Sequence, residues 1–164
     1  LIQQGTQDII EFEEVGINFD YDDAFNLLKL NEFNVKSKGF QGQGVGQILL
    51  PDPTSADLSF SLQLQWDKIG LYHHDVFLAP IAFDGAQMDL RLRLKPFQLE
   101  IGQISLQEGG STYLAQGFVR AAPKGWEAGL RFDVDKLAHK RLMALWPTWG
   151  IPNTRLWLKE NIKN

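Results

Sequence analysis

The stretch Leu58-Ser-Phe-Ser-Leu-Gln-Leu-Gln-Trp66 alternates large apolar residues with small or amide-bearing polar residues at every step. A second stretch, Met88-Asp-Leu-Arg-Leu-Arg-Leu94, repeats the alternation with charged residues in the polar positions. Because successive side chains of a strand point to opposite faces, each stretch predicts a strand with one apolar and one polar face. Such strands are typical of an antiparallel sheet that keeps one face in contact with water.

The same alternation continues along most of the chain. Together with weaker segments it predicts further strands at residues 8–15, 28–38, 42–50, 70–77, 97–106, 112–121 and 126–134. The apolar phase shifts by one residue at Gly102-Gln103, which indicates a β-bulge. Glu108-Gly109-Gly110-Ser111 predicts a hairpin turn, and further turns are predicted at residues 51–53, 84–85 and 122–125.

Helical periodicity is strongest near the end of the sequence. Ala138, Leu142, Leu145 and Trp146 recur at helical spacing after Asp135, which we interpret as the N-cap, and Pro147 ends the pattern. Asn153 can cap a second helix at residues 154–162, and one short helical turn is predicted at residues 22–28. We expect Leu142, Leu145, Trp146 and Trp157 to pack against one end of the sheet.

These patterns predict a mainly β fold. We expect an antiparallel, curved meander sheet of eight or nine strands in residues 1–134, forming an open groove or half-barrel, with two short C-terminal α-helices in residues 135–164 packed on one end. Two short helices can cover little of such a sheet. The remaining apolar face must therefore close on itself, as in a sandwich or barrel, or stay open for a ligand or a neighbouring segment.

The composition is that of an ordinary globular domain. The 164 residues are 44% hydrophobic and carry a net charge of −4, which argues against a dedicated nucleic-acid binder. Residues 1–82 hold 4 basic and 12 acidic residues, whereas residues 83–164 hold 12 basic and 8 acidic ones. There is no cysteine, no apolar run long enough for a membrane-spanning helix and no visible signal peptide. We expect the chain to be one domain excised from a longer protein.

Candidate catalytic and metal-binding residues do not form a pattern that supports chemistry. Asp20, Asp22 and Asp23 lack the spacing of a calcium loop, and His73 and His74 would point to opposite faces of a strand. His139 lies beside basic residues, and no Gly-x-Ser-x-Gly elbow is present. We therefore predict no catalytic residue, no metal site, no cofactor and no enzymatic activity.

Glycine and tryptophan account for two further features. Alternating Gly42, Gly44 and Gly46 leave one strand face bare, which favours a tight strand crossing over a ligand site. Trp66, Trp126 and Trp146 fall on apolar faces and are interpreted as core residues. Trp149 and Trp157 are freer, and an exposed aromatic platform there would suit sugars or a membrane surface.

The last third of the chain carries a recognisable motif. It runs Phe132-Asp-Val-Asp-Lys-Leu137, then Leu145-Trp-Pro147, then Pro152-Asn-Thr-Arg-Leu-Trp-Leu-Lys-Glu-Asn-Ile162. The Gly109-Gly110-Ser111-Thr112 hairpin and the strand with Gly117 precede it. Over residues 40–164 this resembles the AsmA-like superfamily of large bacterial envelope proteins, in its YhdP-like and TamB-like branches. The motif residues are Trp146, Pro147, Arg155, Trp157, Glu160 and Asn161.

The resemblance implies a segment of a long periplasmic β-groove that carries phospholipid acyl chains between the two membranes, anchored by a segment outside this chain. It implies lipid and neighbouring segments of the same chain as partners, a role in lipid transfer or outer-membrane lipid homeostasis, and no enzymatic activity. The lipid-contact candidates share the apolar phase of the predicted strands: Leu58, Phe60, Leu62, Leu64, Met88, Leu90, Leu92, Leu94, Leu130 and Phe132.

Two other function classes stay open on the sequence. One is a carbohydrate- or protein-binding β-sandwich of the cell envelope, which would use Trp149 or Trp157. The other is a glycosidase-like enzyme with two carboxylates flanking a cleft, for which the sequence nominates no pair. Arg91 and Arg93 alternate with the lipid-contact candidates, so we expect them to point away from any bound acyl chain.

Overall fold

The computed structural model describes residues 11–54, 58–72, 77, 79–136 and 139–145. Within these residues the chain forms nine β-strands and one α-helix. The strands are β1 (Phe12–Asp22), β2 (Leu27–Ser37), β3 (Phe40–Leu49), β4 (Ser59–Leu71), β5 (Ile81–Phe83), β6 (Gly85–Leu94), β7 (Phe97–Glu108), β8 (Ser111–Ala122) and β9 (Gly125–Val134). The helix is α1 (His139–Leu145). The prediction of a mainly β fold is confirmed.

All nine strands belong to one antiparallel meander. The hydrogen-bonded order is β1-β2-β3-β4-β6-β7-β8-β9, and β5 also pairs with β4. β5 and β6 lie end to end along β4, because Ile69 to Leu71 pair with β5 whereas Ser59 to Trp66 pair with β6. The sheet therefore has eight strand positions side by side, here called lanes, with β5 and β6 sharing one lane. Within the described residues the sheet stays open, with β1 and β9 at its two edges.

Two local predictions are confirmed in detail. The register of β6 against β7 shifts by one residue next to Gly102, so Asp89 pairs with Gln103 while Leu90 pairs with Ile101. This bulge keeps the apolar residues of β7 on one face. Gly109 and Gly110 have φ angles of 53° and 81°, and this two-residue turn joins β7 to β8.

The first strand and its turn differ from the prediction. β1 continues to Asp22, well beyond residue 15, because Asn18, Asp20 and Asp22 occupy its polar face rather than a loop. The predicted helical turn at residues 22–28 is wrong. That stretch is the hairpin between β1 and β2, in which Asn26 has a φ of 51°.

Two predictions around β4 and β5 were also wrong. β4 runs to Leu71, so residues 70–71 end this strand and do not begin a separate one at 70–77. Residues 84–85 do not reverse the chain. Asp84 is a kink between β5 and β6, held by its N–H bond to Gln107 O at 2.7 Å and by Gly109 N–H donating to its carboxylate at 2.9 Å.

The C-terminal helices are only partly described. α1 is described from His139, and residues 137–138, through which Asp135 would cap it, lie outside the described residues. The carboxylate of Asp135 accepts the N–H of Thr112 at 2.9 Å, at the end of the β8–β9 ladder. Residues 154–162, where the second helix is predicted, lie outside the described residues. The part of the chain that the structure describes therefore has one short helix.

The best-buried apolar side chains gather at one end of the sheet. They come from β2, β4, β5 and β6 around the segment where β5 pairs with β4, and they are Phe33, Ile69, Ile81, Phe83 and Ala86. Ile81 is fully buried. Elsewhere most apolar side chains stay half-buried or exposed, because a single-layer sheet has no second layer of strands to cover them.

Candidate functional site: an apolar sheet face

One face of the sheet is apolar from edge to edge. Residues paired across neighbouring strands lie on the same face, so the register defines rows that cross all eight lanes. Three such rows contain only apolar residues or tyrosine. They are Tyr21-Leu28-Ile48-Leu62-Leu90-Ile101-Gly117-Leu130, Phe19-Leu30-Gly46-Leu64-Met88-Ile104-Ala115-Phe132 and Ile17-Phe33-Gly44-Trp66-Ala86-Leu106-Tyr113-Val134.

The lipid-contact candidates fall on this apolar face. Six of them lie in the first two rows, Phe60 pairs with Leu92 in a further row, and Leu94 pairs with Phe97. Leu58 directly precedes β4 and is 51% exposed. The structure thus brings the candidates together on one surface, as the alternation predicts.

The exposed fraction rises toward the two edges. On β1, Ile17 is 60% and Phe19 is 53% exposed, and on β9, Phe132 is 68% and Trp126 is 69% exposed. An edge strand has a neighbour on one side only, so its side chains are covered from one side only. Trp126 is therefore not a core residue, contrary to the sequence interpretation.

Sequence reasoning missed the contribution of β1 to this face. Val15, Ile17, Phe19 and Tyr21 alternate with period two, and this signal was present in the sequence. The acidic and amide residues between them resembled a loop. The structure places those polar residues on the opposite face, where Asp20 accepts a hydrogen bond from Asn31 at 2.7 Å and Asp22 pairs with Lys29 at 3.0 Å.

The three alternating glycines of β3 are covered by their neighbours. In the row Phe33-Gly44-Trp66 the missing side chain of Gly44 lets the flanking rings meet above the middle strand, with their centroids 4.6 Å apart. A Cβ at Gly42 would lie 2.7 Å from the Trp66 ring, and one at Gly46 would lie 2.8 Å from Leu64. The expected close approach is thus made by the adjacent strand β4, through the Trp66 ring at Gly42 and through backbone oxygens at Gly44 and Gly46, and not by a crossing strand.

One polar cluster ends the apolar face. Glu108, at the end of β7, accepts the Nε–H of Arg141 from α1 at 2.6 Å and the hydroxyl of Tyr113 at 3.1 Å. The guanidinium also lies 5.8 Å from the centroid of the Phe83 ring. Burial, reinforced by the Glu108 carboxylate, raises the pKa of Tyr113, so the hydroxyl stays protonated and donates to Glu108. This cluster attaches α1 to one end of the sheet.

The opposite face is polar. Arg91 lies on it, as expected, and its guanidinium donates to Ser59 Oγ at 3.1 Å, whereas Arg93 pairs with Ser59 in the register. A shallow depression of about 550 Å³ is lined by five amide side chains, with Lys29, Val45 and Asp89 also at its wall; the amides are those of Asn31, Gln47, Gln63, Gln65 and Gln87. Gln47 donates to Gln63 across the β3–β4 ladder at 2.5 Å.

Several candidates belong to parts of the chain that the structure does not describe. His73, His74, Trp149 and the motif residues Trp146, Pro147, Arg155, Trp157, Glu160 and Asn161 lie outside the described residues. Among the residues that are described, no group of three or more His, Asp or Glu side chains is arranged to hold a metal ion. In the same part of the chain, no helix is long and apolar enough to cross a bilayer.

Comparison with known proteins gives no relative. The chain matches no family model, no curated protein and no solved structure.

Proposed function

We propose that the apolar face holds phospholipid acyl chains, and that the chain is a segment of an AsmA-like periplasmic protein that serves phospholipid transfer or outer-membrane lipid homeostasis. The observation that carries the proposal is the set of three apolar rows crossing all eight lanes without a charged side chain. A surface of this kind offers an acyl chain burial but no hydrogen bond. We also propose that the sheet curves into a groove and that the protein is located in the cell envelope.

The energetics favour a sliding ligand. Burial of apolar surface is non-directional and contributes about 0.8 kcal/mol for each methylene group removed from water. Neighbouring rows offer nearly equivalent sites, so an acyl chain meets no strong barrier as it moves along them. Because Arg91 lies on the opposite face, it is not positioned to retain the headgroup.

Chain length gives a quantitative test. If each added methylene is buried, the affinity for a series of single-chain lipids should rise by up to about fourfold per methylene. Titration of the protein with such a series, followed by tryptophan fluorescence, measures this slope. A flat series would contradict the proposal.

Photo-crosslinking tests the location. A photoreactive amino acid at Leu62 or at Leu92 should label phospholipid, because both positions lie on the apolar face. The matched controls are Gln63 and Arg91, which are one residue away on the opposite face. Equal labelling at test and control positions, or labelling at the controls alone, would refute the assignment of lipid to the apolar face.

A second candidate, a carbohydrate- or protein-binding module of the envelope, is favoured by the amide-lined depression on the polar face. Side-chain amides both donate and accept hydrogen bonds, as sugar hydroxyls require. Oligosaccharide titration that shifts the NMR signals of the Gln47, Gln63 and Gln87 amides would support this candidate. Neither candidate involves catalysis, and the absence of enzymatic activity stays a prediction.

A further inference from the structure

The two edge strands are complementary to each other. Within the described residues β1 pairs only with β2 and β9 pairs only with β8, so each edge has backbone N–H and C=O groups without a strand partner. Both edges present exposed apolar side chains on the same face, including Ile17 at 60% and Leu130 at 50% exposed. Long, apolar edges of this type are sites at which another strand can add.

The number of lanes sets the direction in which a copy can add. Eight antiparallel lanes make β1 and β9 run in opposite directions. A second copy in the same orientation, placed beside the first, therefore sets its β1 antiparallel to β9. The ladder and the apolar face would both continue across the junction without interruption.

The charges favour this junction over the two symmetric ones. Glu14 and Asp20 of β1 accept hydrogen bonds from the amides of Asn34 and Asn31, and no lysine or arginine of the described residues pairs with either carboxylate. Pairing β1 with another β1 would bring such acids together. Like charges directly opposite each other destabilise a strand pair.

The other edge carries a lysine at the start of its strand. On β9 the acids are already paired, Glu127 with Arg120 at 2.6 Å and Asp133 with Arg131 at 2.9 Å. Exposed Lys124 precedes the strand, whereas exposed Lys136 follows it directly after Asp135, whose carboxylate offsets its charge. A β9–β9 pair gains no attraction between opposite charges at Lys124, whereas a β1–β9 pair sets Lys124 against the acidic C-terminal end of β1.

We propose that the β9 edge binds the β1 edge of a second copy of this chain, head to tail, so that one apolar face extends over successive copies. The contact is heterologous and does not close after two copies. Association should therefore continue through dimers and trimers to larger species. This inference does not depend on lipid, so it can fail while the proposed function holds.

Sedimentation velocity of the lipid-free full chain tests the proposal over about two orders of magnitude in concentration. The mean mass should rise without stopping at a dimer. Ile17→Lys blocks the β1 edge and Leu130→Lys blocks the β9 edge, because an inward-pointing lysine prevents strand addition. Each variant should be monomeric, and their mixture should form a discrete dimer, since one free edge of each kind remains.

Leu114→Lys is the control, because Leu114 is 37% exposed on the polar face of β8, which is not an edge strand, and this variant should still polymerise. Should the apolar substitutions impair folding, Lys124→Glu leaves the sheet intact and is expected to weaken association about tenfold. A monomer at every concentration overturns the proposal. So does a dimer that survives both edge lysines, because that dimer would be packed face to face.

Discussion

The contact between Trp66 and Gly42 allows a sharp test of how the apolar face is packed. Trp→Ala in a full core costs about 3–5 kcal/mol, and because Trp66 is only half-buried we expect Trp66→Ala to lower the free energy of unfolding by about 2–4 kcal/mol. Gly42→Ala places a Cβ at 2.7 Å from the Trp66 ring. Such overpacking should cost about 1–3 kcal/mol on its own.

The double variant separates packing from conformational preference. Without the indole ring the nearest atom to the new Cβ is Lys68 O at 3.3 Å, so Gly42→Ala should become nearly neutral. The expected coupling energy is about 1–2 kcal/mol, measured by urea unfolding of the two single variants and the double variant.

Gly102→Ala is the matched control for this cycle. Its Cβ would lie 3.3 Å from Asp89 O, in a different part of the sheet, so its effect should add to that of Trp66→Ala without coupling. If Gly42→Ala costs the same with and without Trp66, the ring does not fill the space above Gly42. The glycines of β3 would then not be covered by the side chains of β4.

Three other predictions concern the ends of the sheet. Burial beside Glu108 raises the pKa of Tyr113 above its usual 10.0. The protonated Tyr113 hydroxyl should therefore stabilise the fold below about pH 10, and this stabilisation should be lost as the pH rises through the raised pKa. In alkaline unfolding measurements the Tyr113→Phe variant should not show this loss. The N–H of Thr112 lowers the pKa of Asp135. The Asp135 carboxylate should therefore stabilise the fold above its usual pKa of 3.8, and this stabilisation should be lost as the pH falls through the lowered pKa. The Asp135→Ala variant should show faster hydrogen exchange at the Thr112 amide while α1 stays in place. Gly110→Ala should cost about 1 kcal/mol in urea unfolding, because Gly110 has a φ of 81°; no loss would mean that the turn relaxes.

The ion pair that holds the helix and the ion pairs between the first two strands differ in burial. The Glu108–Arg141 pair joins the helix to the sheet and is partly buried, with side-chain exposures of 28% and 22%. The ion pairs between β1 and β2, such as Glu13–Lys36 at 3.1 Å, are about half exposed and add little stability. We therefore assign the charge of β1 to the choice of a strand partner and not to the stability of the monomer.

Local patterns were the most predictable part of the fold. The strands around Leu62 and Leu90, the bulge at Gly102 and the turn at Gly109-Gly110 follow from interactions between residues close in sequence. Alternation of apolar and polar residues along a strand requires only that one face of the sheet be more exposed to water than the other. A glycine pair in a turn requires only a positive φ.

Errors arose where local signals were ambiguous. Asp84 resembled a turn residue, but Gln107 of β7 holds it in a kink within one lane. The carboxylate of Asp135, which the sequence presents as a helix cap, accepts the N–H of Thr112 at the start of β8. In both cases the deciding hydrogen-bond partner is more than 20 residues away in sequence, so no local pattern could identify it.

The sequence by itself determined that the chain is mainly β, which side of each strand is apolar and where β7 bulges, because these properties follow from the period-two placement of side chains along each strand. Only the tertiary structure decided that the described strands form one open sheet of eight lanes, that Phe33 and Trp66 meet above Gly44, and that β1 and β9 lie at the edges of this part of the chain. These features depend on register between strands, which is set by pairings between distant residues. An apolar face is thus encoded residue by residue, whereas its continuity from edge to edge arises only when the rows align.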